Sequence, residues 1–335
     1  MQKKFIFAQF SHPAERADAL ALPDNARCAF IGSYILGRGF ILSPDERAAL
    51  IARNPHNSAR IAPYLRGHEV NASPTQMFDR YVIDFGQLSL AQAEEWPDLL
   101  AIVRAEVKPK REHNRRRCYR SYWWRFGECR PGLTTTVRGL ARCLVAAIVS
   151  KHLMFSFQPT DRVFSHKLCV FALPGYSAFA VLQSRLHLAW AWLLSSTMRN
   201  AGINYAPSDC FETFPFPAHD PRSTIAHLEQ VGGLLYQTRA AVMTMSGRGL
   251  TRIYNALADP ACTESRVVEL RRLHRAMDRA VLDAYGWTDI AVPPYCPASP
   301  AERVAVRDFK DAIIDRLYQL NRERGAGRCD PPSTG

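Results

Sequence analysis

The spacing of apolar positions changes several times along the chain, and each change predicts an element. From Cys28 the run CAFIGSYILG reads as a strand, turns at Gly37 and Gly39, and leads into a helix over Pro44–Arg53. Ser43 is placed to cap that helix, Pro44 suits its first position, and Glu46 stands three residues after the cap as a capping box requires. Pro63 to Gly67 reads as a turn-rich connection, Arg80–Phe85 as a strand, and Ser89 to about Val107 as one helix. Thr134 to Lys151 is apolar and β-branched. FSFQP and VFSHKLCVFALP read as short strands on either side of a turn at Pro159-Thr160-Asp161, and their alternation predicts a half-buried antiparallel sheet. Tyr176 to Met198 carries a broad apolar helical face that includes Trp190 and Trp192. In YAPSDCFETFPFP, Tyr205 to Pro217, prolines at 207, 215 and 217 oppose regular structure, predicting an extended strap that packs Phe211, Phe214 and Phe216 onto a neighbour. Beyond it, 220–285 and 300–324 are helical. Val267, Leu270, Leu273, Met277, Val281 and Ala284 recur at three or four and leave Arg271, Arg272, Arg275 and Arg279 outside. Residues 1–27 read as a lead-in, and the tail from Gly325 is expected to be disordered. The sequence therefore predicts an α+β protein: a mixed first domain over 28–217 with a small antiparallel sheet, then an all-helical domain over 218–324.

Length and composition support real cores, since 335 residues at 47% hydrophobic content suit two or three globular domains. No apolar run reaches eighteen residues, and Gln9 and His12 break the short apolar stretch near the start. A cytoplasmic location without membrane contact is expected. Nine cysteines without a CxxC pair predict neither a zinc module nor a disulfide framework.

Charge changes the picture. The formal net charge is +12, and Arg104 to Arg130 alone holds ten Arg or Lys against three Glu. Charge packed this densely repels itself unless a polyanion neutralises it. Only seven of the 43 basic residues are lysine. Guanidinium groups grip phosphate oxygens bidentately and stack on flat rings, and this stretch supplies Tyr119, Tyr122, Trp123, Trp124 and Phe126. Double-stranded DNA is the expected partner. Arg111, Arg115, Arg116, Arg117 and Arg120 are expected to neutralise phosphates, with Lys108, Lys110 and Arg138 also facing DNA. Trp123, Trp124 and Arg125 are expected to support or wedge the groove-facing surface, and Lys151, His152 and Arg162 to read bases.

Other chemistries fit less well. Phe30-Ile31-Gly32-Ser33-Tyr34 lacks the second glycine of a nucleotide loop, and Gly37-Arg38-Gly39 is followed by bulky residues. Pro97-Asp98 with Glu106-Val107-Lys108 spells the PD…ExK pattern of Mg²⁺-dependent nucleases, the alternative enzymatic reading. On one continuous helix Asp98 and Glu106 would stand about 12 Å apart, too far to share an ion.

Several phrases taken together resemble one family: GSYILGRGFILSPDE, IAPYLRGHEVN with RYVIDFG, VKPKREHNRRR…YWWRFGECRPGL, VLQSRLHLAWA, YAPSDCFETFPFP, GLTRIYN at Gly249 to Asn255 and LRRLHRAMDRAVLDAYGW at Leu270 to Trp287. Over residues 28 to 324 the chain resembles the carboxy-terminal half of MmeI-like type IIG/IIL restriction-modification proteins. In these an adenine-specific DNA methyltransferase core precedes a target-recognition domain and a helical end domain. The resemblance implies that Arg111 to Arg130 and the sheet after it belong to the recognition domain, closed by the strap at 213–217. It also implies S-adenosylmethionine, but on a core this chain lacks. Val292-Pro293-Pro294-Tyr295 has valine where a polar residue must accept the adenine amino hydrogens, and Asp330-Pro331-Pro332-Ser333 has serine in place of the stacking ring. No cofactor is therefore expected here, and a methyltransferase core chain or subunit is the implied partner. The chain would be one half of a split gene, a specificity subunit or a truncated relic. A pure assembly module, docking a methyltransferase without touching DNA, is the remaining alternative.

Overall fold

The structure is a computed structural model that describes residues 19–198 and 202–326. Its first helix, Pro44–Arg53, has the capping box expected of it: Glu46 N donates to Ser43 Oγ at 3.2 Å and Ser43 N to Glu46 Oε2 at 2.7 Å. It lies beside a four-stranded sheet in the order Ile41–Leu42, Arg80–Ile83, Ile61–Leu65, Val163–Phe164. Ile61–Leu65 is a strand where a turn-rich connection is expected from Pro63. Proline is tolerated because Val163–Phe164 reaches only Tyr64 and Leu65, so Pro63 has strand pairing on one side alone.

A second four-stranded sheet runs Ala29–Ile31, Leu168–Phe171, Arg142–Ala147, Ser156–Pro159, antiparallel throughout. Leu168–Phe171 is buried along its whole length, which is why it reads as a continuous apolar run and not as an alternation. Gly32 extends the first strand against the 164–165 backbone so closely that a Cβ would stand 2.3 Å from the Ser165 carbonyl oxygen. Close backbone approach accounts for that glycine. The third sheet is small and joins Ser196–Met198, Gly202–Asn204 and Val149–Ser150.

Two long predicted helices are each broken in two. Ser89 to Val107 divides into Leu90–Ala93 and Pro97–Glu106, because Pro97 lacks the N–H that would continue the first and instead starts the second. Tyr176 to Met198 divides into Tyr176–Gln183 and Arg185–Leu194, with Ser184 extended between them and its hydroxyl accepting from His187 N. Thr134 to Lys151 likewise splits into the end of the helix Pro131–Val137 and the strands Arg142–Ala147 and Val149–Ser150.

The strap over 205–217 opens with one helical turn, Pro207–Cys210, and buries Phe211, Phe214 and Phe216 edge to face at 5.1–5.4 Å. Side chains satisfy its carbonyls. Asn25 Nδ2 donates to Phe211 O and Phe214 O, Asn321 Nδ2 to Thr213 O, Tyr285 Oη to Pro215 O and Arg324 Nη1 to Phe216 O. Helices Ala226–Ser246, Leu250–Leu257, Ser265–Ala284 and Pro300–Ala326 complete the chain. The last takes in the first two residues of the expected tail, and 327–335 lie outside the described residues, as do 1–18 of the lead-in. Gly232 lets Ala226–Ser246 cross Tyr176–Gln183 at close range, for a Cβ there would stand 2.5 Å from Tyr176 O. One hydrophobic core includes Phe155, Phe171 and Trp190 together with Leu270, Met277 and Ile313, so sheet and C-terminal helices share an interior. The fold is α+β, with small, mainly antiparallel sheets and a helical C-terminal region. Among the described residues no helix is long and apolar enough to cross a membrane.

Candidate nucleic-acid interface

The basic stretch forms two short helices, Lys108–Glu112 and Arg117–Ser121, followed by a turn through Tyr122–Phe126. Trp123, Trp124 and Phe126 are buried in a second core with Phe40, Val82, Leu99 and Val103. Trp124 Nε1 donates to Leu88 O at 2.9 Å, and the Phe126 ring meets Phe40 edge-on at 5.3 Å. Burial of both tryptophans corrects the expected wedge role: neither has a free ring to insert between base steps. Arg104 and Lys108 lie over the Trp123 ring at 5.8 and 5.7 Å, and Arg125 over Trp124 at 5.4 Å.

The ten cations divide into distinct groups. All three glutamates of the stretch are paired, Glu106 with Lys110, Glu112 with Lys108 and Glu128 with Arg130. Arg111 is 3% exposed, and its guanidinium donates to four backbone carbonyls, those of Ile35, Leu36, Tyr122 and Arg125, at 2.6–3.5 Å. Burial lowers it to about 10, leaving it charged at neutral pH. Arg111 is therefore an internal clamp, which corrects its expected phosphate contact: every face of the fork is already occupied. Arg125 is half-buried over Tyr122 and Trp124, with Nε on Leu88 O. The rest, Arg104, Arg115, Arg116, Arg117 and Arg120, are exposed and form no ion pair with a carboxylate among the described residues. Arg116 donates to Tyr119 Oη at 2.9 Å and Arg120 to the Asn114 carbonyl, contacts that orient the side chains without cancelling their charge. Arg138, exposed after the helix Pro131–Val137, adds a further cation.

The expected base readers separate. Lys151 and His152 share one acceptor, Asn255 Oδ1, at 2.7 and 3.0 Å. Arg162 is turned inward, its side chain 7% exposed, with ion pairing to Asp161 at 3.1 Å and a hydrogen bond to Gln158 at 3.2 Å. That packing corrects its expected base contact. The PD…ExK residues are not brought together. Asp98 accepts from Asn57 and pairs with Arg53, while Glu106 sits at the far end of the same helix. Among the described residues no group of three or more His, Cys, Asp or Glu could hold a metal ion.

A family model described as the MmeI target recognition domain matches residues 24–218. The chain belongs to this family. A solved structure of the type IIL restriction-modification enzyme MmeI in complex with DNA superimposes with a TM-score of 0.60 at 16% identity, over 92% of this chain and 37% of that one. At that identity the likeness concerns the fold, and this chain spans little more than a third of that enzyme's length. No curated protein matches.

Beyond the matched target recognition domain, in the helical C-terminal region, the partial methyltransferase tetrapeptide Val292–Tyr295 is engaged by the fold. The carbonyls of Pro293 and Pro294 accept from Arg185 at 2.9 and 3.0 Å, and Tyr295 stacks on His274 at 4.6 Å. With those groups engaged and Gly32 explained by strand packing, neither this tetrapeptide nor that glycine is arranged as part of an S-adenosylmethionine cradle. The second tetrapeptide lies outside the described residues. What residue-level reading missed is Asn255. Its signal was present in GLTRIYN, a phrase tied to the family but with no chemistry attached until the fold set it against Lys151.

Proposed function

We propose that this chain binds duplex DNA sequence-selectively on behalf of an adenine-specific methyltransferase or restriction enzyme whose catalytic core is carried elsewhere. The observation that carries the reading is the group Arg104, Arg115, Arg116, Arg117 and Arg120: exposed, and free of carboxylate partners among the described residues. Such a group repels itself in the free protein and is relieved by phosphates, to which guanidinium forks are matched in shape and charge. Membership of a target recognition family supports the assignment, and so does the fold shared with an enzyme solved on DNA. In this reading S-adenosylmethionine belongs to the catalytic partner.

Electrophoretic shifts across a salt series test it. With these five arginines and Arg138 making about six phosphate contacts, the logarithm of the association constant should fall against the logarithm of salt with a slope near −5. Replacing Arg115, Arg116, Arg117 and Arg120 by serine should reduce that slope by about 3 to 4. Binding indifferent to salt would remove the phosphate role, and equal binding to all duplexes would remove selectivity. Co-purification with a methyltransferase but no DNA affinity would favour the assembly reading instead.

A further inference from the structure

The loop 151–155, between the strands Val149–Ser150 and Ser156–Pro159, is held by three helices. From Tyr176–Gln183, Gln183 accepts from Phe155 N at 2.9 Å and donates to Leu153 O at 3.2 Å. From Ala226–Ser246, the buried Arg239 donates to Phe155 O at 2.6 Å, and it braces itself on Gln183 Oε1 and Tyr254 Oη. From Leu250–Leu257, Asn255 Oδ1 receives Lys151 Nζ and His152 Nε2. Ser150 Oγ closes the loop onto His152 O at 2.6 Å.

These contacts fix the chemistry that the loop can offer. An ammonium has donors only, so the Asn255 atom it meets must be oxygen, and that settles the amide orientation. His152 must then donate from Nε2. Burial lowers its pKa, the direction that favours the neutral ring, and the contact with the Asn255 oxygen then selects the Nε2–H tautomer. The Asn255 oxygen is engaged twice, whereas its Nδ2 has no partner among the described residues and the Lys151 ammonium retains two N–H groups. Both side chains are exposed. The surface thus offers donors without an acceptor from the amide.

Base edges in the major groove discriminate on this point. Adenine presents N7 as acceptor beside N6 as donor, and an asparagine reads it by giving one hydrogen bond and taking another. Guanine presents two acceptors, N7 and O6. An asparagine whose oxygen is already occupied matches the second edge and leaves the adenine amino group unpaired, which costs more than a weak contact does. We propose that Lys151 and Asn255 together read the N7 and O6 edge of one guanine, with His152 and Arg239 as positioning residues. The inference rests on the DNA-binding reading above and adds a base identity and a residue from the C-terminal helices.

The test begins with selection of duplexes from a randomised pool by the full chain, followed by 7-deazaguanine at each guanine of the selected site. One such replacement should weaken wild-type binding by about tenfold to a hundredfold. Lys151→Ala and Asn255→Ala should both lose preference for guanine over adenine at that position. Asn255→Asp keeps the oxygens that hold Lys151 and His152 but removes the amide donors, so it too should lose the preference while unfolding at the wild-type temperature. Variants that select the wild-type site with unchanged guanine discrimination, or a wild-type site insensitive to every 7-deaza replacement, would overturn the inference and leave DNA binding standing. A wild-type chain that binds no duplex takes the underlying reading down with it.

Discussion

Arg111→Met is expected to destabilise the protein by about 3–5 kcal/mol, more than any substitution in the exposed arginine group. The methionine can fill the volume, but it strips the guanidinium donor from the carbonyls of Leu36 and Arg125 and leaves those of Ile35 and Tyr122 with only the backbone N–H groups of Gly127 and Arg125, around a side chain that is itself buried. Those carbonyls belong to two segments far apart in sequence, so the guanidinium ties the 35–36 backbone to the turn that carries Trp123 and Trp124. It also holds Leu36, whose φ of 51° is a left-handed conformation disfavoured for any side chain with a Cβ. Arg111→Lys should recover little, because one ammonium cannot span four acceptors that a flat fork reaches. Arg115→Met, on the exposed face, should change stability by less than about 0.5 kcal/mol. Thermal unfolding of the three variants decides the matter. If Arg111→Met unfolds at the wild-type temperature while losing salt-sensitive DNA affinity, the clamp is wrong and the phosphate role first expected for Arg111 is restored.

Arg111 and Arg115 also mark the limit of what the sequence could disclose. Both stand in the same run of basic residues, four positions apart, and nothing local separates them. What separates them is the arrival of the 35–36 backbone, set by long-range packing. The same holds for the helix Ser265–Ala284. Its apolar stripe is legible, yet three of the arginines left outside it fold back to hold carbonyls of a helix end and of loops: Arg271 those of Ala256 and Leu257 at the end of Leu250–Leu257 and of Asp259 and Cys262 after it, Arg275 that of Val292, and Arg279 those of Trp287 and Ile290. Arg272 pairs with Glu269 on the surface. A preference for arginine over lysine therefore has two physical sources in this protein. One is an affinity for phosphate, and the other is a need for flat, multidentate donors that can satisfy irregular backbone. Local signals were reliable where the determinant was local, as with Ser43 and Glu46. The breaks at Pro97 and Ser184 were legible too, one as a missing N–H and the other as a hydroxyl cap, but the apolar period running through each outweighed them. Pro63 misled in the opposite direction, since only the short reach of Val163–Phe164 makes its place in a strand permissible.

Acidification from pH 7.5 to 5.0 is expected to cost the fold about 4 kcal/mol through two buried histidines. His187 shares a hydrogen bond with Tyr205 Oη at 3.0 Å and His274 with Tyr254 Oη at 3.3 Å, both deep in the main core. Burial pushes each imidazole down to about 3, with the Arg239 and Arg185 guanidinium groups adding to the effect on His274. In the unfolded chain a histidine takes a proton near pH 6.5, whereas in the folded chain it stays neutral until about pH 3. The unfolded state therefore binds more protons throughout that interval, and stability present in full above pH 6.5 is lost as pH falls, by about 1.4 kcal/mol per unit for each ring. Asp84 and Asp278 oppose this, because burial raises both carboxyls and lets the folded state take protons first. A comparison with His187→Gln/His274→Gln isolates the imidazoles: glutamine retains hydrogen-bonding capacity, does not titrate, and leaves both aspartates in place. The double variant should be less stable than wild type at pH 7.5 and should lose much less on acidification, so that the difference in unfolding midpoint narrows by roughly 6 °C at pH 5.0. Parallel midpoints across the series would mean that both histidines protonate in the folded state, and hence that the core around Tyr205 and Tyr254 admits water.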